Sequence, residues 1–170
     1  MLKTLAQTIN RLTLASGQGI AWLLLVMVLT ESVVVLLRYG FDFGSIALQE
    51  SVTYLHASCF LLGAAYTLQQ DEHVRVDIFY RNFSEQRKAL VNVVGCVLFL
   101  WPVCGFIIWS SLGYVSQAWS IREASADAGG LPGIYLLKTL IPLFAFMLML
   151  QGLAQTIDKL STLLNSRPAK

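Results

Sequence analysis

Two acidic side chains lie inside apolar stretches of the sequence, where a charge has chemical consequences. Glu31 falls within residues 20–39, and Glu50 falls near the start of residues 46–68. An ionisable residue in a membrane-spanning helix is costly to bury and marks a function or a polar partner. Two chemistries fit these acids: a proton- or cation-coupled site within this chain, or pairing with basic residues of this chain or of a partner. Arg38 is the evident internal partner, because the turn after the first stretch brings it beside the start of the second.

The polar residues of the second stretch share one helical face. Glu50, Thr53, Tyr54 and Ala57 follow the i, i+3, i+4, i+7 spacing of a helix. Polar groups at that depth are costly to expose to lipid. We therefore predict that this face lies against protein or water.

The two histidines, His56 and His73, are too far apart to act as one catalytic pair. They are 17 residues apart in the sequence, which is roughly 25 Å along a helix at ~1.5 Å per residue. His73 has Asp71, Glu72 and Asp77 nearby, a cluster that suggests a metal, but the spacing matches no zinc pattern. The alternative is a structural role, in which His73 hydrogen-bonds an acid or a carbonyl at the end of a helix.

The three cysteines also argue against redox chemistry. Cys59, Cys96 and Cys104 all lie within apolar segments, and none belongs to a CxxC pair. This pattern predicts small packing residues rather than disulfides or reactive thiols. Because no nucleophile and base are placed to meet, we predict that the chain is not an enzyme. A redox or metal-containing membrane enzyme is the remaining enzymatic alternative.

The composition predicts one small membrane domain over residues 1–170. Hydrophobic residues make up 56 % of the chain and charged residues 13 %, against about a quarter charged in soluble domains. The apolar stretches approach the ~20 residues that cross a hydrocarbon core. The net charge is only +2, with no basic and aromatic patch, so we expect no nucleic-acid partner.

Four helices must position these residues. We predict an all-α membrane protein with four transmembrane helices, arranged as two hairpins about a polar central loop at residues 69–88. The predicted spans cover residues 20–39, 46–68, 89–109 and 131–155. Pro102 should kink the third span, and the segment 110–130 is amphipathic or irregular.

The N-terminal segment, residues 2–15, has an amphipathic pattern. Leu2, Leu5, Ile9 and Leu12 recur at helical spacing among polar residues. This predicts a helix lying in the membrane interface, with a junction to the first span at Gly17 and Gly19. A simple extension of the first span is the alternative.

Basic residues set the predicted orientation. If both termini and the central loop share one side of the membrane, that side carries nine basic residues, and the other side carries only Arg38 and Arg122. Basic residues concentrate in cytoplasmic loops. We therefore predict that the N- and C-termini are cytoplasmic.

Several short motifs occur in a set order along the chain. The first half carries Arg38-Tyr39-x-Phe41, Glu50, Gly63-Ala64-Ala65 and His73-Val74-x-Val76-Asp77. The second half carries Ser116-Gln117-Ala118-Trp119-Ser120, Gly130-Leu131-Pro132, Lys138 and Ile141-Pro142. Together they resemble the small permease subunit of tripartite ATP-independent periplasmic (TRAP) transporters, the DctQ-like family. The chain departs from that family at residues 47–50, where a Trp and two acids are common, and only Glu50 of the acid pair carries over.

This resemblance implies a part in an assembly. The family's small subunit pairs with a large membrane subunit that binds sodium and substrate and moves by an elevator-type mechanism. A periplasmic binding protein delivers the substrate, generally an organic anion such as a carboxylate, a sialic acid or a sulfonate. The chain itself would carry no substrate, metal or cofactor site, and the large subunit would use the sodium gradient. Its location would be the bacterial inner membrane, with phospholipids as further partners.

The resemblance also implies where the partners bind. The expected contacts with the large subunit are Arg38, Glu50, Tyr54, His73 and Asp77. The binding protein is expected to dock within residues 110–130, at Trp119, Arg122 and Glu123. The alternative function is an autonomous small transporter, coupled to ions through Glu31 or Glu50. Four spans without a convincing internal repeat are few for such a transporter.

Overall fold

Helices make up all of the regular structure in the described part of the chain. The computed structural model describes residues 2–73 and 78–165. The long helices are α1 (Leu2–Gly40), α2 (Ile46–Gln69), α3 (Glu85–Gly95), α4 (Trp101–Ser120) and α5 (Ile134–Asn165). A 3-10 turn (Tyr80–Asn82) precedes α3, and a π-helical turn (Cys96–Leu100) joins α3 to α4. The predicted all-α class is confirmed for these residues.

The helices lie where the four spans were predicted. Among the described residues, three segments are long and apolar enough to cross a membrane: Leu2–Gly40, Glu85–Ser120 and Ile134–Ser161. The helix α2 has 24 residues, roughly 36 Å at ~1.5 Å per residue. It is long enough to span, but the polar residues of its first turns lower its hydropathy, and it is not one of the three. A span at α2 therefore stays a prediction.

The helix α1 is continuous through the expected junction at Gly17 and Gly19. Residues 2–15 thus follow the alternative, an extension of the first long helix, and no separate N-terminal helix forms. Gly17 lies at a close contact between α1 and α2, because a Cβ on Gly17 would lie 2.9 Å from the Cβ of Tyr66. Gly17 permits close packing here, and it does not end the helix.

The third predicted span is longer and less regular than expected. Helical structure runs from Glu85 to Ser120 rather than over residues 89–109. In the π turn the Trp101 N–H donates to the carbonyl of Cys96, five residues back. The next residue, Pro102, has no N–H and its ring crowds the carbonyl four residues earlier. A wider turn accommodates that ring, so the irregularity predicted at Pro102 lies in the turn that precedes it.

The helix α5 forms the centre of the bundle. It packs against each of α1, α2, α3 and α4. One core cluster joins Ala65, Cys104, Ala145 and Leu148, and a second joins Ala6, Ile9 and Ala154. Small side chains at these positions let the backbones approach closely, as in other membrane bundles. All three cysteines are buried free thiols, as their apolar surroundings in the sequence predicted.

Two non-glycine residues in the left-handed region end their helices. Asp71 (φ +61°) follows the C-cap of α2, and Arg122 (φ +47°) follows the C-cap of α4. At α4 the N–H of Glu123 donates to the carbonyl of Ala118 at 2.9 Å, which is the Schellman pattern of helix termination. This turn directs residues 121–133, the α4–α5 loop, back over the bundle.

Candidate functional site

The carboxylate of Glu50 holds the α4–α5 loop against α2. It accepts a hydrogen bond from the Ser125 hydroxyl and a second one, of 2.6 Å, from the N–H of Leu131. The N–H of Ser125 in turn donates to the carbonyl of Leu131 at 3.1 Å. A carboxylate that accepts from neutral donors is stabilised by charge-assisted hydrogen bonds. Glu50 therefore acts as a clamp between two distant parts of the chain.

Lys138 connects the start of the same loop to α4 and α5. Its ammonium group forms an ion pair with Glu123. It also lies 3.9 Å from the ring centroid of Tyr114, within the range of a cation–π contact. The loop is thus held at both ends by α5 and α2, through Lys138 and Glu50.

Trp119 is fixed beside this loop by two contacts with α5. Its indole N–H donates to the Thr139 hydroxyl at 2.8 Å. Its ring meets Tyr135 edge-on, with the centroids 4.7 Å apart, a favoured arrangement of aromatic pairs. Trp119 is still 48 % exposed, so it presents a rigid aromatic surface at the end of the bundle.

The polar face of α2 packs on protein only in part: Glu50 and Tyr54 do so, whereas Thr53 is exposed. Glu50 contacts the loop. The ring of Tyr54 packs against Gly133, and a Cβ added to Gly133 would lie 3.5 Å from Cε1 of that ring. The Tyr54 hydroxyl is buried and has no hydrogen-bond partner among the described residues. Arg38, the expected partner of Glu50, is exposed. Glu50 instead accepts its hydrogen bonds from Ser125 and Leu131.

A different set of polar residues remains uncovered between α1 and α2. Two adjoining grooves of about 380 and 410 Å³ lie there and share Glu31 and Thr53. Arg38 lines the first groove and His56 lines the second. All four residues are exposed, and we call them the α1–α2 polar stripe. No ion pair within the described residues involves Glu31 or Arg38.

His73 makes a contact with the backbone of α2. Its Nε2 lies 3.2 Å from the carbonyl oxygen of Ala64, near the C-terminal end of α2. This matches the structural alternative for His73. The described residues contain no group of three or more His, Cys, Asp or Glu side chains placed to hold a metal. Asp77, the other predicted residue of this segment, lies outside the described residues.

Sequence reasoning missed Ser125 and Leu131 as the partners of Glu50. The available signal was the pair of glycines before Leu131, which predicted only a break. Gly129 adopts φ +85°, and a Cβ on Gly130 would lie 2.7 Å from Oε1 of Glu50. These glycines let the loop backbone approach the carboxylate closely. The site is therefore a structural joint, in which both oxygens of the Glu50 carboxylate accept hydrogen bonds from the loop.

The fold and these surfaces define a small helical membrane protein. Three helical segments are long and apolar, the Glu50 carboxylate is satisfied within the chain, and Glu31 is left on an outer face. A family model described as the DctQ component of tripartite ATP-independent periplasmic transporters matches residues 20–162. The chain belongs to this family, and it is thus a small component of a TRAP transporter rather than a member of an enzyme family. Comparison with curated proteins and with solved structures gives no match.

Proposed function

We propose that this chain is the scaffold subunit of a TRAP transporter for an organic anion. In this role it holds the large sodium-coupled permease subunit in the inner membrane and helps the periplasmic binding protein to dock. Both of its termini are cytoplasmic. It binds no substrate, metal or cofactor of its own, and the sodium gradient is used by the large subunit.

The α1–α2 polar stripe is the observation that carries this proposal. Glu31 is nine residues before the end of α1, so it lies about 13 Å from that end at ~1.5 Å per residue. That depth is close to the middle of a hydrocarbon core ~30 Å thick. A charged or strongly polar side chain at such a depth faces protein or water rather than lipid. A helix of the large subunit, bringing a hydrogen-bond donor or a cation to Glu31, fits this requirement.

The predicted contact residues fall into three groups. Arg38 lies on the stripe and can contact the large subunit directly. Glu50 and Tyr54 lie under the α4–α5 loop, so they act on the partner through the position of that loop. His73 follows the opposite end of α2, where a contact with the partner would be separate from the stripe, and Asp77 is proposed as a contact from its place in the sequence alone.

The α4–α5 loop supports the docking proposal. Arg122 is exposed at the tip of the turn, and Trp119 presents a fixed aromatic face beside it. Glu123 forms an ion pair with Lys138, so its role is to position the turn. A rigid aromatic residue beside an exposed arginine has the composition of a protein-binding hot spot.

Co-purification tests the scaffold role. The tagged chain is expressed together with a large TRAP permease subunit, and the retained large subunit is quantified. Glu31→Leu and His56→Leu should each lower retention several-fold, because each removes a polar partner from the interface. Gln117→Leu is the control, since Gln117 is exposed on α4 away from the stripe.

Full retention by both stripe variants would contradict the interface. Transport by liposomes that contain this chain alone would contradict the scaffold role itself and would support an autonomous transporter coupled through Glu31.

A further inference from the structure

The short turn before α3 carries two large apolar side chains that the described residues leave uncovered. Ile78 is 72 % exposed and Phe79 is 76 % exposed. Arg81, two residues further on, is exposed as well. Apolar residues beside a basic one suit a segment in a membrane interface, because the apolar side chains enter the acyl region while the charge stays among the headgroups.

Contacts with α3 hold this turn in place. The side-chain amide of Asn92 donates to the Tyr80 hydroxyl at 3.1 Å. The ring of Tyr80 also packs against Phe83, with the ring centroids 6.3 Å apart. Ser84 then caps α3 by accepting from the N–H of Arg87. The turn is therefore a fixed continuation of α3, and its position relative to the membrane follows from that helix.

The outer face of α3 sets the level of the turn in the membrane. Arg87, Leu90, Val91 and Val94 follow the i, i+3, i+4, i+7 spacing of one helical face, and all four are exposed. Arg87 precedes Leu90 by three residues, which is about 4.5 Å at ~1.5 Å per residue. The face is apolar from Leu90 onward and charged at Arg87, so Arg87 and the turn lie at the level of the headgroups.

The charges at this level favour an anion. Residues 78–88 contain three basic side chains and one acidic one. The acid, Glu85, forms an ion pair of 3.1 Å with Lys88. Within residues 2–73 and 78–165 no ion pair engages Arg81 or Arg87. Exposed arginines at a membrane surface attract anionic lipids, and a guanidinium group can bind a phosphate through two N–H donors.

We propose that the turn and the start of α3 form a site for an anionic phospholipid. Arg81 and Arg87 bind the phosphate, Ile78 and Phe79 enter the interface beside it, and an acyl chain follows the apolar face of α3. A zwitterionic lipid carries the same phosphate, but its ammonium group would bring a further positive charge to the two arginines. This site requires only that α3 and α4 cross a membrane, so it is independent of the scaffold role.

Competition between two lipids for the full chain tests this site. The protein is delipidated in detergent and offered equal amounts of phosphatidylglycerol and phosphatidylcholine with identical acyl chains, and the bound lipids are counted by native mass spectrometry. Phosphatidylglycerol should be preferred by roughly 25-fold, because each of the two arginines contributes about fivefold near an anionic headgroup.

Charge-matched variants locate the preference. Arg81→Gln and Arg87→Gln should each lower it about fivefold. Arg11→Gln is the control and should leave it unchanged, because it removes the same charge from an exposed arginine on α1. Arg11 lies at the same end of the bundle, where its neighbour Asn10 and Tyr80 line one cavity. All three arginines are exposed, so their replacement should not prevent folding.

Phe79→Ser separates the apolar contact from recognition of the headgroup. It should lower the binding of both lipids by a similar factor and leave their ratio unchanged, since an apolar side chain does not distinguish the headgroups. A changed ratio in Phe79→Ser would contradict this division of roles.

Three further results would overturn the proposal. Equal binding of the two lipids by the parent chain would reject an anionic headgroup. An equal loss of preference in Arg11→Gln would mean that the whole basic end attracts anionic lipid without a local site. If both α3-side arginine variants keep the lipid preference but lose co-purification with the large subunit, a protein rather than a lipid covers this face.

Discussion

Arg122 offers a test in which backbone strain and charge can be separated. Its φ of +47° lies in the left-handed region, one residue past the C-cap of α4. Its N–H donates to the carbonyl of Trp119 at 3.2 Å, and the N–H of Glu123 donates to Ala118, so the turn is fixed by two hydrogen bonds. A glycine would make both bonds without the steric conflict of a Cβ atom.

Two opposing contributions set the change in the free energy of unfolding that we expect for Arg122→Gly. A non-glycine residue in this region costs roughly 1–2 kcal/mol, and glycine loses roughly 0.5–1 kcal/mol through its greater freedom in the unfolded chain. The difference lies between about 0 and 1.5 kcal/mol, so Arg122→Gly should raise the free energy of unfolding by about 0.75 kcal/mol. Arg122→Ala removes the same charge but keeps the Cβ atom, so its stability should stay within ~0.5 kcal/mol of the parent. Denaturant unfolding in detergent, followed by tryptophan fluorescence, measures both.

Both variants remove the positive charge that we place in the docking surface. If Arg122 meets the binding protein, each variant should raise the binding-protein concentration for half-maximal uptake several-fold. The effect should shrink at high ionic strength, because charges at the edge of an interface are screened by salt. A loss of uptake in the more stable glycine variant cannot be attributed to misfolding.

Two outcomes would refute this reasoning. A glycine variant less stable than the alanine variant would contradict the assignment of strain to Arg122. An unchanged concentration dependence in both variants would remove Arg122 from the docking surface.

Two further predictions concern contacts between helices. Gly17→Val should lower the free energy of unfolding by about 1–3 kcal/mol, because the new side chain would overpack against Tyr66. Gly19→Val is the control and should cause no such loss, since a Cβ on Gly19 would meet no atom within 4 Å. Equal losses in the two variants would contradict the close contact between Gly17 and Tyr66. Glu50→Ala should speed hydrogen exchange of the Leu131 N–H by about tenfold through local opening of the loop, and Gln49→Ala is the control for the exchange measurement. Glu50→Ala should also weaken co-purification with the large subunit, for which Gln117→Leu is the control. Unchanged exchange at Leu131 in Glu50→Ala would show that the clamp does not hold the loop.

The positions of the helices could be predicted from the sequence because a hydrocarbon core sets a minimum apolar length. The ends of the helices could not be predicted in this way. A helix can continue past the apolar region, because its backbone groups remain hydrogen-bonded there. Thus α3 begins at Glu85 and α4 ends at Ser120, several residues outside the predicted span. Serine caps explain some ends: Ser84 accepts from the N–H of Arg87 and starts α3 at its observed position.

The role of a glycine in a helix could not be read from its neighbours in sequence. Gly17 was expected to mark a junction, and it instead lies under Tyr66, 49 residues away in the chain. The partners of Glu50 are equally distant, with Ser125 and Leu131 separated from it by 75 and 81 residues. Such contacts depend on how α5 brings the loop over α2, and local spacing does not contain that information.

Glu31 and Glu50 show why the structure changes the functional interpretation. In the sequence both acids interrupt apolar stretches, and the same two hypotheses apply to each. In the fold, Glu50 accepts two hydrogen bonds from its own chain, whereas Glu31 is exposed between α1 and α2. An acid that is satisfied internally stabilises this subunit whether or not a partner is present. An acid on an exposed face of a membrane-spanning helix faces protein or water rather than lipid, and this is why we propose Glu31 and the residues beside it as the place of assembly with a second membrane subunit.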